Sequence, residues 1–327
     1  MVKIHSIVIP VFKNAESVPE LIVVLSNLAH LAKRNFDCRT EVIFVVDGSP
    51  DNCYELLEKA LPDAPFSSQL ILHSRNFGSF AAIRTGLQAA RGDYFCVIAA
   101  DLQEPPKLAL LFLEKLLSDE CDLVVGCRHH RQDPYLSSIA SDLFWKIYKR
   151  FVIREIPEKG VDVFGCNKIF RDQLIKLEES HSSLIGLVFW LGYRRSEVSY
   201  ERRLRQHGKS AWSFNKKVKY MLDSIFSFTD LPIKILTILG LFSIFISIFF
   251  GIFVIFAKMY EVIPVPGYAT TLLTVIFFGG LNSLGLGIVG TYAWRAFENT
   301  KGRPLAVVMA LKHFNKTNLT TLNEKYD

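Results

Sequence analysis

No two of the six cysteines, Cys38, Cys53, Cys96, Cys121, Cys127 and Cys166, stand in C-x-x-C spacing. Several lie in apolar, strand-like runs, so they read as reduced, buried thiols of a cytosolic domain. The opening stretch Met1-Val2-Lys3-Ile4-His5 lacks a signal-peptide core and runs into a short strand, so the first domain is expected on the cytoplasmic side. The turn after that strand, Val11-Phe12-Lys13-Asn14-Ala15, has no glycine, which argues against a nicotinamide-type dinucleotide fold. The G-x-G-x-x-G of Gly285 to Gly290 falls instead inside an apolar span, where small residues permit close helix packing. Charge is absent from Ile235 to Ala257 and again from about Tyr268 to Trp294. Each stretch is long enough to cross a bilayer.

What is present follows from those gaps. Half of the 327 residues are hydrophobic and 26 are Phe, an excess concentrated in the two uncharged spans. The net charge of +6 is concentrated at the edges of the spans, in Lys209, Lys216, Lys217, Lys219, Lys234, Arg295, Lys301 and Arg303. Without a stacking-aromatic module, these basic residues read as cytoplasmic anchors against anionic lipid and not as a nucleic-acid surface.

Along the first two hundred residues strands and helices alternate. Strands are read at Ser6–Val11, Glu41–Val46, Gln69–His73, Tyr94–Ala99 and Asp122–Gly126, with helices at Glu16–Ala32, about Phe80–Ala90 and Lys107–Leu117. Such alternation implies an α/β domain with a mostly parallel, Rossmann-like sheet and ligands at the carboxyl ends of its strands. Asp47, Asn76 and Asp101 all follow such ends. Between Trp212 and Phe226 apolar residues recur at helical spacing against Lys216, Lys217 and Lys219, which reads as an amphipathic helix at the membrane interface or an ordinary core helix. The polar tail after Lys312 is expected to fray.

The stretch Gly92 to Pro106 centres the chemistry. An apolar run delivers Asp101 and Gln103 to a loop that Pro105 and Pro106 then turn away. A carboxylate and an amide oxygen two residues apart can serve Mg²⁺ or Mn²⁺, and a cation bridging a diphosphate favours its departure. Arg128 and Arg131, past the fifth strand, suit bidentate recognition of a phosphate or form a solvated basic loop.

These residues resemble a family. Ile9-Pro10-Val11-Phe12, Asp47-Gly48-Ser49-Pro50-Asp51, Arg75-Asn76-Phe77-Gly78, Ala90-Arg91-Gly92-Asp93, Asp101-Leu102-Gln103-Glu104-Pro105-Pro106, Gly126-Cys127-Arg128 with Arg131, Gly208-Lys209-Ser210 and Gly290 to Pro304 occur in one order. The pattern is similar to glycosyltransferase family 2, of GT-A fold, and within it to the polyprenyl-phosphate glycosyltransferases related to dolichol-phosphate mannose synthase, GtrB and ArnC. The resemblance implies an inverting transfer of a sugar from a nucleotide-sugar donor to a polyprenyl phosphate, undecaprenyl phosphate above all, for cell-envelope or O-antigen glycans. It also implies a homo-oligomer, often a tetramer, in a bacterial inner membrane with its catalytic domain cytoplasmic. The domains implied are a GT-A unit at 1–210, a juxtamembrane helix at 211–232, a two-helix hairpin at 233–296 and a cytoplasmic tail at 297–327. By the same resemblance Pro10, Phe12, Glu16, Asp47, Gly48, Asn76 and Gly78 serve the donor. Asp101 and Gln103 serve the cation and catalysis, and Arg128, Arg131, Lys168 and Lys209 the acceptor phosphate.

Departures from the family pattern touch the same places. Ala99 stands where the D-A-D-L-Q form has its first Asp, Val46 where D-D-G-S has its first, and Ser79 follows Gly78 where a loop lysine is usual. Cys166 is taken as the counterpart of the Asp in G-D-F-R, with Lys168 for its Arg. These losses leave open a catalytically weakened scaffold beside an active relative. Another lipid acceptor or a growing polysaccharide is the further alternative, although Q-x-x-R-W, the mark of processive synthesis, is missing.

Overall fold

The computed structural model describes residues 2–128, 149–150, 153, 155–157, 161–179, 182–202, 214–260 and 267–315. Arg131 and Lys209 lie outside them. Two compact units emerge, one holding residues 1–217 and 304–327, the other 218–303.

The first unit is built on β1 (Ile4–Val11), β2 (Arg39–Val46), β3 (Ser67–His73), β4 (Tyr94–Val97), β5 (Leu123–Arg128), β6 (Val161–Asn167), β7 (Arg195–Tyr200) and β8 (Val308–Phe314). Among the described residues they form one sheet in the order β7-β5-β6-β4-β1-β2-β3-β8. The strands β1 to β4 run parallel, as do β5 and β7, while β6 and β8 pair antiparallel to their neighbours. The expected mostly parallel α/β sheet is thus observed. Its central strands are apolar on both faces because both faces are covered.

Helices α1 (Val18–Phe36), α2 (Cys53–Ala60) and α4 (Lys107–Leu117) pack on one face. Leu21, Leu25 and Leu28 of α1 meet Ile7, Ile9, Val42, Phe44 and Phe112 in a single core. Each fully buried Leu contributes roughly 1.5–3 kcal/mol by leaving water. Helices α3 (Ser79–Ala89) and α5 (Lys168–Leu174) cover β1, β2, β4 and β6 elsewhere, and α6 (Leu184–Trp190) precedes β7. Helix α3 comes close because Gly86 has no side chain: a Cβ there would lie 2.3 Å from Val8 Cγ1.

Chain order fixes where a ligand can enter. From β1 the chain moves outward through β2 to β3, then returns to place β4 on the other side of β1. The loops after β1 and β4 therefore part at a topological switch point, which leaves a crevice at the carboxyl ends.

Three strands lie beyond the sequence reading of this unit, and one of them, β7, pairs parallel with β5 at the end of the sheet. β6 enters antiparallel between β4 and β5. β8 pairs with β3 from Ser68↔Phe314 to His73↔Val308, and Lys312 forms an ion pair with Glu58. The chain stays ordered past Lys312 as far as Phe314 and caps the edge of β3, whose outer N–H and C=O groups would otherwise stay unpaired. Residues 316–327 of the expected tail lie outside the described residues.

The second unit contains the end of α7 (Phe214–Phe228), then α8 (Leu231–Met259) and α9 (Tyr268–Thr300). Thr229 Oγ1 accepts from Leu231 N at 2.8 Å where α7 yields to α8. At the far end of α9, Arg295 pairs with Asp223 at 2.7 Å and Tyr292 donates to Thr229 O at 3.1 Å. Phe242, Phe245, Phe249 and Phe253 of α8 are all exposed, an apolar surface larger than a water-facing helix usually carries. Among the described residues Leu231–Phe250 is the one segment long and apolar enough to cross a membrane. The expectation of two spans is met for one.

Candidate active site

Four loops meet at the carboxyl ends of β1 to β4, and short polar side chains stitch their backbones together. Lys13 N donates to Ser49 Oγ at 2.8 Å and Ala15 N to Asp51 Oδ2 at 3.0 Å, which joins the loop after β1 to the Asp-Gly-Ser-Pro-Asp turn after β2. Burial pushes the Asp51 carboxyl up, but hydrogen bonds from Ser49, Cys53 and Ala15 outweigh it and hold it below the usual carboxylate range. Ser17 Oγ donates to Asn14 O and Ala100 O, fastening the first loop to the acidic loop after β4. Gly48, at φ +54°, lies beneath the loop after β3, where a Cβ would sit 2.2 Å from the carbonyl carbon of Arg75.

On this frame the sequence-predicted donor residues come together. Pro10 is the penultimate residue of β1, paired with Val45. Phe12 is half-buried with Lys13 over its ring, and Glu16 is exposed in the 3₁₀ turn Ala15–Ser17. Asn76 is exposed and donates to Asp47 O at 3.3 Å, while Gly78 takes φ +104° ahead of α3.

Asp47 behaves differently from its expectation. It is 2 % exposed, and its carboxylate accepts from Phe77 N at 2.9 Å, Gly78 N at 2.7 Å and the His73 ring at 2.8 Å. It points into the protein because β2 alternates: Val42, Phe44 and Val46 face the core, so Asp47 faces α3. A direct contact with a nucleotide is replaced by a grip on the Arg75–Gly78 loop. Val46 is itself buried in the core.

In the acidic loop Leu102 adopts φ +54°, rare for a bulky residue, and Gln103 N donates to Asp101 Oδ1 at 3.3 Å. Asp101 and Gln103 are half-buried and Glu104 is buried. Arg202 Nη2 donates to Gln103 Oε1. That amide oxygen already accepts from a guanidinium, which leaves it one lone pair beside the Asp101 carboxylate. Among the described residues no three His, Cys, Asp or Glu side chains gather as a cation site. The Asp101 carboxylate, a hard oxygen donor, is the group on this loop that would hold a divalent ion.

The register separates the expected acceptor residues. Arg128 ends β5 on the same side as the acidic loop, since β5 runs with β4. Lys168 does not lie there: β6 is antiparallel, Asn167 pairs with Tyr94 at the start of β4, and Lys168 follows. The four residues of β4 alone set it about 13 Å from the site edge. Cys166 is buried in the middle of this pairing, so it is no counterpart of a site carboxylate. At the site end β6 begins with Val161, and its register with β5 slips between Val161 and Val163. Sequence reasoning missed Arg202, whose signal was the Glu201-Arg202-Arg203 cluster.

Comparison with known proteins adds a second line of observation. The profile of glycosyl transferase family 2 matches residues 6–177. An uncharacterized glycosyltransferase of Synechocystis sp. is 31% identical over 97% of this chain and 98% of its own. CsbB of Bacillus subtilis, likewise named as a glycosyltransferase, is 32% identical over 83% of this chain and 82% of its own. A protein of Shigella phage SfX, named bactoprenol glucosyl transferase, is 28% identical over 94% of this chain and 99% of its own.

Proposed function

The chain belongs to glycosyl transferase family 2 and is a glycosyltransferase, and from that premise we propose that it moves a sugar, with inversion, from a nucleotide-sugar donor to a polyprenyl phosphate. The observation that carries this reading is the convergence of four stitched loops at the switch point, with Asp101 on the last. The acceptor rests on the name of the phage relative, bactoprenol glucosyl transferase, with undecaprenyl phosphate as the working substrate.

Phe12, Glu16, Gly48, Asn76 and Gly78 border the nucleotide, with Pro10 beneath. Asp101 would hold Mg²⁺ or Mn²⁺, which when bound neutralises charge on the departing diphosphate. Arg202, at the same loop, adds a fixed positive charge for those oxygens. Arg128 holds the lipid phosphate, with Arg131 and Lys209 joining it on the sequence pattern. A phosphate monoester is already anionic at pH 7, its second pKa being about 6, so its oxygen attacks the anomeric carbon without first losing a proton to the protein. The C–O bond to the sugar forms as the bond to the nucleoside diphosphate breaks.

Membrane geometry supports the same reading. The chain leaves the first unit at α7 and returns to the same sheet as β8. A segment that starts and ends on one side of a bilayer crosses it an even number of times. With α8 as one crossing, α9 is the return. Lys234 and Arg295, Lys301 and Arg303 flank the two ends and favour a cytoplasmic catalytic unit in a bacterial inner membrane.

The test offers the full-length protein in lipid nanodiscs undecaprenyl phosphate and a panel of UDP- and GDP-sugars with Mg²⁺ or Mn²⁺. One lipid-linked sugar should form, with nucleotide release dependent on the lipid. No product from any donor, in a folded sample, would favour a scaffold without transferase activity.

A further inference from the structure

We propose that His73 is a positioning residue for the donor, acting through Asp47 on the Arg75–Gly78 loop. His73 is the last residue of β3 and its side chain is fully buried. Both ring nitrogens are engaged: Nδ1 lies 2.8 Å from Asp47 Oδ1 and Nε2 lies 3.0 Å from Thr85 Oγ1 on α3. The ring also meets Phe77 edge to face, with centroids 5.7 Å apart. Two hydrogen bonds at opposite ends of a planar ring fix its orientation, and the ring in turn fixes the carboxylate.

The carboxylate then holds the loop. Phe77 N and Gly78 N both donate to it, and the Asn76 side chain donates to the Asp47 carbonyl. These bonds leave Arg75 and Asn76 facing solvent, with the Arg75 guanidinium laid 4.1 Å over the Phe77 ring. Gly48 lies directly beneath Arg75, so the turn after β2 packs against the loop that the carboxylate holds. Removing the imidazole takes one donor from a buried carboxylate, and the loss passes to two backbone N–H groups and then to both donor-side loops. The inference rests on the proposed donor role of these loops, and the experiment separates the two.

Full-length protein in nanodiscs is assayed with UDP-glucose, Mg²⁺ and undecaprenyl phosphate, and amide exchange at Phe77 and Gly78 is measured without nucleotide. His73→Phe keeps the ring and loses both hydrogen bonds; the donor KM should rise about 10-fold or more, with kcat and the acceptor KM within about 3-fold. His73→Asn, which restores a donor near Nδ1, should recover most of that loss. Exchange at Phe77 and Gly78 should quicken by about 10-fold in the Phe variant. Unchanged exchange, or quickened exchange with an unchanged donor KM, overturns the proposal, as does an equal loss in donor KM, acceptor KM and kcat. If the wild type does not use UDP-glucose, exchange alone decides: quickening supports the grip on the loop, and no change removes it. Should His73→Phe fail to fold, Thr85→Val gives the same readouts with a shift of about 3-fold, and none at all overturns it.

Discussion

The two ends of the parallel strands both carry buried polar side chains, but they use them differently. At the amino ends Glu41 is saturated within the protein: Ser6 Oγ donates at 2.8 Å, Gln69 Nε2 at 2.9 Å and Arg91 N at 2.9 Å. Ser6 Oγ accepts from Gly92 N, and Arg171 closes the neighbouring carbonyls of Leu87 and Ala90. At the carboxyl ends Asp47, Ser49 and Asp51 bind mainly backbone, and Phe12, Asn76, Asp101 and Gln103 keep access to solvent. The Ala90-Arg91-Gly92-Asp93 motif thus belongs to the closed end, while the Asp101 loop, which follows β4, belongs to the open one. A motif that marks a family can hold the sheet as readily as it holds a ligand.

Substitutions can break this contrast. Asp101→Asn should lower kcat by about 10²–10³ with an unchanged melting temperature, because it removes charge at the open end without unpacking anything. Full activity in a donor-to-lipid transfer assay would strip Asp101 of its role. Glu41→Ala should do the reverse and cost about 3 kcal/mol of stability in chemical denaturation, since three donors lose their acceptor together. Its activity per folded molecule should stay at the wild-type level.

Smaller effects sharpen the comparison. Arg202→Ala should reduce kcat by about 10-fold, through loss of the charge fixed beside Gln103, and leave thermal unfolding as it was. At the closed end burial pushes the His5 imidazole down to about 4 from its ordinary 6.5. The unfolded chain therefore binds the extra proton first as pH falls from 6.5 toward 4, and stability present above pH 6.5 declines across that window. At pH 5 the loss is about 2 kcal/mol, and His5→Phe should flatten it in denaturation curves taken at pH 7 and pH 5. Lys168→Ala should leave the acceptor KM within about 2-fold, since its strand carries it to the closed end.

Much of this contrast was legible in the residues. Continuous apolar runs followed by amphipathic periods gave β1 to β5 with α1, α3 and α4 between them, and the carboxyl-end rule then located Asp47, Asn76 and Asp101 together. Strand direction was not legible. β6 looks like any buried strand, yet its antiparallel course moves Lys168 from one end of the sheet to the other. β8 was missed because its pairing partner lies more than two hundred residues earlier, across the whole apolar region. Asp47 carried the composition of a ligand contact, and only the alternation of β2 reveals that it faces inward. The link from Arg202 to Gln103 spans 99 residues, beyond the reach of any local pattern.

The most direct measurement is hydrogen–deuterium exchange on the full-length protein in nanodiscs, with and without a saturating nucleotide sugar and Mg²⁺. Exchange should slow at 12–15, 48–51, 75–79 and 101–104 and stay unchanged at 39–42, 90–93 and 167–172. Protection confined to the amino ends, with the four stitched loops unaffected by a donor the protein demonstrably uses, would contradict it.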